Sequence, residues 1–145
     1  MTALEIFRLR RVRDKRAAIC AMQQHAALTE AQARAALHTA IGGGKPRVDC
    51  ANLATARACM TALRAAGFLA RLADIDHARH AAAALHAAWT QLAPAVQEAC
   101  AAHLLDGDWP HALWTAQRHL ATHAPASAAQ LDAAALDCGL WLDWV

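Results

Sequence analysis

The sequence predicts an α+β protein: an N-terminal β-α-α-β-α-β domain, with a three-stranded sheet covered by helices, followed by an all-α helical lobe. Three observations predict it. Alternating apolar runs, LEIFRL at 4–9 and FLARLA at 68–73, flank stretches whose apolar residues recur at helical spacing. Gly42, Gly43 and Gly44 break the helical pattern just before a short extended piece, PRVDC at 46–50. Beyond the last strand the pattern is helical and is punctuated by Pro94, Gly107, Pro125 and Gly139. The boundary falls between residues 1–75 and 76–145.

The elements follow in order. Strict alternation in the first strand places Phe7 and Leu9 on one face and Ile6 and Arg8 on the other. A helix near 17–28 carries Ile19, Met22 and Ala26 on one side. Thr29 followed by Gln32 is a capping box, so a new helix starts there and runs through Leu37 to the glycines. In the second strand Val48 and Cys50 alternate with Arg47 and Asp49. Asn52 caps a third helix near 53–66, with Leu53, Ala56, Met60 and Leu63 on one side, and Gly67 closes it. In the second lobe Asp74 or Asp76 caps a helix from His77 to Leu92, and a helix after Pro94 runs to Leu105. Asp108 caps the next, with Pro110 in its first turn, where proline is tolerated. Ser127 with Gln130 reads as another capping box, and the last helix continues to Cys138, where Gly139 stops it. The ending LWLDWV reads as a short strand or a helical turn.

Apolar residues are 57% of the chain, but many are Ala, which favours helix and buries little area. The core therefore depends on Ile6, Phe7, Ile19, Met22, Leu37, Leu53, Met60, Leu63, Phe68 and the tryptophans. No apolar run approaches the ~20 residues of a membrane span, and the N-terminus lacks a basic-then-apolar leader. A cytoplasmic protein with no membrane partner is expected. The five cysteines, Cys20, Cys50, Cys59, Cys100 and Cys138, are odd in number and contain no CxxC. Reduced thiols are expected, with Cys20, Cys59 and Cys100 buried.

The order β-α-α-β-α-β, with the stretch NLATARACMTALRAAGFLARLA, resembles the C-terminal domain of the bacterial ribosomal stalk protein, whose fold the Clp protease adaptor shares. The resemblance covers residues 4–73 and implies a protein-binding fold. The stalk domain binds translation factors through a helix junction rich in Gly and Lys; the matching junction here, HAALTEAQ at 25–32, has neither. Residues 107–125, GDWPHALWTAQRHLATHAP, resemble one helix of a tetratricopeptide hairpin through Gly107, Asp108, Trp109, Ala112, Leu113, Leu120 and Pro125.

Possible chemistry is confined to a few clusters. His77 and His80 share a helix face, as do His119 and His123, but a zinc site requires three or four converging ligands. These read as solvated or half-buried helix histidines, and no metal or other cofactor is expected. Cys100 and His103 share a face, yet Cys100 lies on the apolar side and reads as a buried thiol. GGGKP at 42–46 follows a helix rather than a strand, which is the wrong context for a phosphate loop.

The sharpest charge feature is the run Arg8, Arg10, Arg11, Arg13, Lys15 and Arg16. Residues 1–76 hold 12 of the 14 basic and 6 of the 12 acidic side chains, a net of +6, and the remainder nets −4 to give the overall +2. The cluster reads first as a solvated face, then as a contact for an acidic protein partner, and last as a nucleic-acid contact, because only Phe7 is near to stack on bases. Trp141 and Trp144, at the end of the chain, are the other candidate contact residues. The leading expectation is a non-enzymatic protein-interaction module, an adaptor or an immunity protein that blocks a toxin. A ribosome- or RNA-associated factor using residues 8–16 is the second, and a small metal- or thiol-dependent enzyme the third.

Overall fold

A computed structural model of the chain describes residues 1–140. Trp141, Trp144 and most of the LWLDWV ending lie outside the described residues. The elements are β1 (Thr2–Leu9), α1 (Lys15–Ala26), α2 (Glu30–Ile41), β2 (Arg47–Cys50), α3 (Leu53–Ala65), β3 (Phe68–Leu72), α4 (His77–Ala88), α5 (Pro94–Leu105), α6 (Trp109–His123) and α7 (Pro125–Asp137), with a 3-10 turn at Trp89–Gln91 after α4. The chain divides into two compact units, Met1–Asp74 and Ile75–Val145. The class is α+β, and the expected order of strands and helices is the observed one.

In the first unit the sheet order is β2-β1-β3, with both neighbours antiparallel to β1. Leu4 faces Val48 on one side and Leu72 on the other, so a row of branched and aliphatic side chains crosses the sheet. Leu4, Ile6, Met22, Val48, Met60, Leu63 and Phe68 are the large side chains sealed in this core. On the opposite face Arg71 Nε donates to Glu5 Oε1 at 2.7 Å across the β1–β3 pair, and its guanidinium lies 4.4 Å over the Phe7 ring. Such a half-buried cross-strand pair contributes about 0.2–1 kcal/mol.

The alternation expected for β1 fails at one residue. Ile6 faces Ala70 and Arg8 faces Leu69, leaving Phe7 as the extra residue of a bulge. Ile6 is therefore buried with Leu4, while Phe7 and Leu9 are half-buried and Arg8 is exposed. An inserted residue reverses the inward–outward phase, which strict period-two counting does not anticipate.

The helix ends follow their local chemistry. Asp14 caps α1 by accepting from Ala17 N, and Asn52 caps α3 by accepting from Thr55 N. At α2 the reciprocal box is complete: Thr29 accepts from Gln32 N, and Gln32 Oε1 accepts from Thr29 N at 2.9 Å. Asp76 and Asp108 cap α4 and α6. The box expected at Ser127 does not form. Helix α7 starts three residues earlier, with Ala124 as its N-cap, because Pro125 needs no amide partner and its φ already suits the first helical position. Ser127 is instead inside the helix and donates to Gln91 Oε1 at 2.6 Å. Leu53, expected in the core, opens α3 and is 40% exposed, since a first-turn residue lies beyond the sheet's cover.

The second unit has its own core of leucines and alanines: Leu85, Leu92, Leu113, Leu120 and Leu131, with Ala112 and Ala116 on α6. Alanines let α6 pack closely with both α5 and α7. Trp89 and Trp109, expected as core anchors, are only partly buried and pack at the margin of this cluster. Trp114 is also partly buried, under the Arg118 guanidinium at 4.8 Å. Among the described residues, no helix is long and apolar enough to cross a membrane.

Candidate functional site

The basic run forms an ordered arch between β1 and α1. Two main-chain hydrogen bonds tie it down: Arg10 N donates to Gly67 O, and Asp14 N donates to Ala66 O, both at 2.8 Å. Gly67 has a φ of +89°, and a Cβ there would come within 2.3 Å of Val12 O. The absence of a side chain at Gly67 is thus what lets the arch lie against the α3–β3 turn. Arg13 Nη1 adds a bond to Arg10 O at 3.3 Å.

The six expected contact residues, Arg8, Arg10, Arg11, Arg13, Lys15 and Arg16, are all exposed. Val12, in their midst, is 83% exposed. Among the described residues, Arg8, Arg11, Lys15 and Arg16 enter no ion pair, whereas Arg34, Arg47 and Arg71 are each held by a carboxylate. Lys15 and Arg16 also occupy the first turn of α1, which contains no acidic residue. The positive end of the helix dipole disfavours cations there. Asp14 answers part of this field as the N-cap, but it is one carboxylate beside Arg8, Arg11, Lys15 and Arg16. The arch is a pinned main chain carrying an excess of positive charge. Beside it a groove of about 270 Å³ is lined by Ile6, Phe7, Arg8, Leu9, Ala40, Ile41, Gly43 and Gly44.

The other sequence candidates separate. None of the five cysteines forms a disulfide among the described residues, but Cys20, expected to be buried, is exposed. In α1 the buried positions are Ala18, Ile19, Ala21 and Met22, so Cys20 falls on the outward side of the turn. Burial pushes the Cys59 thiol up to about 12 and raises those of Cys50 and Cys100 as well. Cys100 Sγ donates to Ala112 O at 3.5 Å and is not engaged with His103. A thiol held in its neutral form this way is a poor nucleophile.

His80 Nε2 lies 3.0 Å from Asp137 Oδ2, a carboxylate that is fully buried. His119 and His123 stack at 4.3 Å, with His123 Nδ1 2.8 Å from His119 O. The glycine triplet stops α2: Gly42 is its C-cap, Gly43 has a φ of +93°, and a Cβ on Gly44 would meet Thr39 Cγ2 at 2.7 Å.

One constellation was missed from sequence. His103, Asp108 and His111 gather around the α5–α6 turn, with ligand-capable atoms all within 4.8 Å of one another. The signal is His-x4-Asp-x2-His spanning Gly107, which becomes visible once the two helices are known to fold back at that glycine.

No known protein family, curated protein or solved structure matches this chain.

Proposed function

We propose that this chain is a non-enzymatic protein-interaction module, acting as an adaptor or an immunity protein, whose basic arch at Arg8–Arg16 receives an acidic segment of a partner. One observation carries the reading: six exposed cations stand on a main chain pinned to Gly67 and Ala66, and two of them sit at the positive end of α1. Like charges held together raise the energy of the free protein, and an anionic partner relieves it. Val12 and the groove beside Arg8 supply apolar contact next to the charge. The resemblance of residues 4–73 to the ribosomal stalk and Clp adaptor domains supports the same class of role, binding rather than catalysis.

The test uses two fluorescent probes of equal charge, a Glu/Asp-rich peptide and a single-stranded RNA. The variant is Arg11→Glu with Arg16→Glu, two exposed residues that enter no ion pair among the described residues. The expected result is peptide binding that weakens with salt and falls at least roughly tenfold in the variant, with the melting temperature nearly unchanged because exposed charges contribute little. Tighter RNA than peptide binding, with a steep salt slope, overturns the protein-partner reading in favour of nucleic acid. No difference between wild type and variant removes the arch from the interface.

A further inference from the structure

We propose that His103, Asp108 and His111 form a binding site for a divalent transition-metal ion of the zinc class at the α5–α6 turn. His103 lies in the last turn of α5, Asp108 is the N-cap of α6, and His111 is in the first turn of α6. The link between them is short and internally bonded. Gly107, with a φ of +75°, donates its N–H to Leu104 O at 3.1 Å, and Asp108 N donates to His103 O at 2.9 Å. The backbones that carry the three side chains are therefore fixed relative to one another before any ion arrives. That removes much of the ordering cost of binding.

The donor set selects the ion. Two imidazoles and one carboxylate suit Zn²⁺, Co²⁺ or Ni²⁺, whereas Mg²⁺ and Ca²⁺ require mainly oxygen. Ligand bonds of about 2.0–2.2 Å to a tetrahedral zinc place ligand atoms roughly 3.3–3.5 Å apart. Here Asp108 Oδ2 and His111 Nδ1 are already 3.5 Å apart, and all three ligand atoms lie within 4.8 Å. The cap bond orients the carboxylate: Oδ1 accepts from His111 N at 3.2 Å, which leaves Oδ2 for the ion. The two rings stack at 4.0 Å and 13°, so their in-plane lone pairs run side by side rather than converging. Rotation about the Cβ–Cγ bonds, a soft torsion for histidine, turns them onto a common point. The His111 and Asp108 side chains are 48% and 49% exposed, so water can reach the site and fill the remaining coordination positions. The bound ion would tie the end of α5 to the start of α6. This inference is independent of the basic arch.

The experiment is calorimetric titration of chelator-stripped protein with Zn²⁺, in a Cys20→Ser background that removes the exposed thiol. One ion per chain is expected, together with a raised melting temperature. His103→Gln with His111→Gln abolishes both effects. Asp108→Asn keeps a good helix cap but loses the anionic ligand, and it weakens binding at least roughly tenfold, since even outer-shell changes cost 10–100-fold. His119→Gln with His123→Gln, the other stacked pair, leaves binding unchanged, and Mg²⁺ gives no binding heat. Absence of a stoichiometric zinc site in wild type overturns the proposal. So does a site that survives His103→Gln with His111→Gln, or one that is lost in His119→Gln with His123→Gln.

Discussion

At the scale of single residues, the thiols show how burial decides chemistry. Cys20 and Cys59 are both helix residues of one small unit, yet one faces outward and the other is sealed. The buried Cys59 holds its proton up to about 12, against an ordinary 9.0, because a thiolate loses its hydration there. The unfolded chain releases that proton first, so between those values the folded state binds more protons. Stability from this group is full below pH 9 and is lost as pH rises toward 12. A maleimide reagent at neutral pH is expected to label Cys20 quickly in the native protein, with Cys50, Cys59 and Cys100 protected until denaturant is added. Urea midpoints measured across the alkaline range are expected to fall steadily above pH 9, and a Cys59→Ala variant is expected to flatten that fall. Early labelling of Cys100 would restore the thiol-enzyme reading.

At the scale of elements, the important joint is the one between the β1–α1 arch and the α3–β3 turn. Gly67 serves both. Its left-handed φ closes α3, and its missing Cβ leaves room for Val12 O. Gly67→Ala therefore combines backbone strain with a clash against main chain, which no side-chain rotation relieves. The expected loss is about 2–4 kcal/mol, read as a lower urea midpoint with an unchanged slope. Displacing the arch is also expected to weaken acidic-peptide binding more than the stability loss alone explains, when measured well below the unfolding transition. A Gly67→Ala variant as stable as wild type would show that the arch is not seated on this turn in solution.

At the scale of the whole molecule, each compact unit buries a separate set of large side chains: Leu4, Ile6, Met60 and Phe68 in one, Leu85, Leu113, Leu120 and Leu131 in the other. Two cores imply two folding units. Fragments 1–74 and 75–145 are expected to melt cooperatively when expressed alone. Stability is expected to be modest, because one core of this size rarely supplies more than about 3–5 kcal/mol. A dispersed amide spectrum for 1–74 would confirm an independent sheet domain. A fragment without a melting transition would show that the division is one of contacts only. The charge divides close to that boundary, with residues 1–76 net basic and the remainder net acidic.

The sequence by itself determined the class, the order of elements, most helix caps and the identity of the basic cluster. These are local properties: Thr29 with Gln32, Asn52, Asp76 and Asp108 act on amides three residues away, and glycines such as Gly67 stop helices where they stand. The tertiary structure alone decided what depends on distant partners. The bulge at Phe7 reverses the phase of β1 because β3 pairs around it. Ser127 serves Gln91 rather than its own helix start because α7 begins at Pro125 and the 3-10 turn lies within reach. The arch became a surface only when Gly67 O and Ala66 O fixed its ends. His103, Asp108 and His111 became neighbours only when α5 and α6 folded back at Gly107, because residues eight apart along a chain meet by a turn that periodicity does not encode.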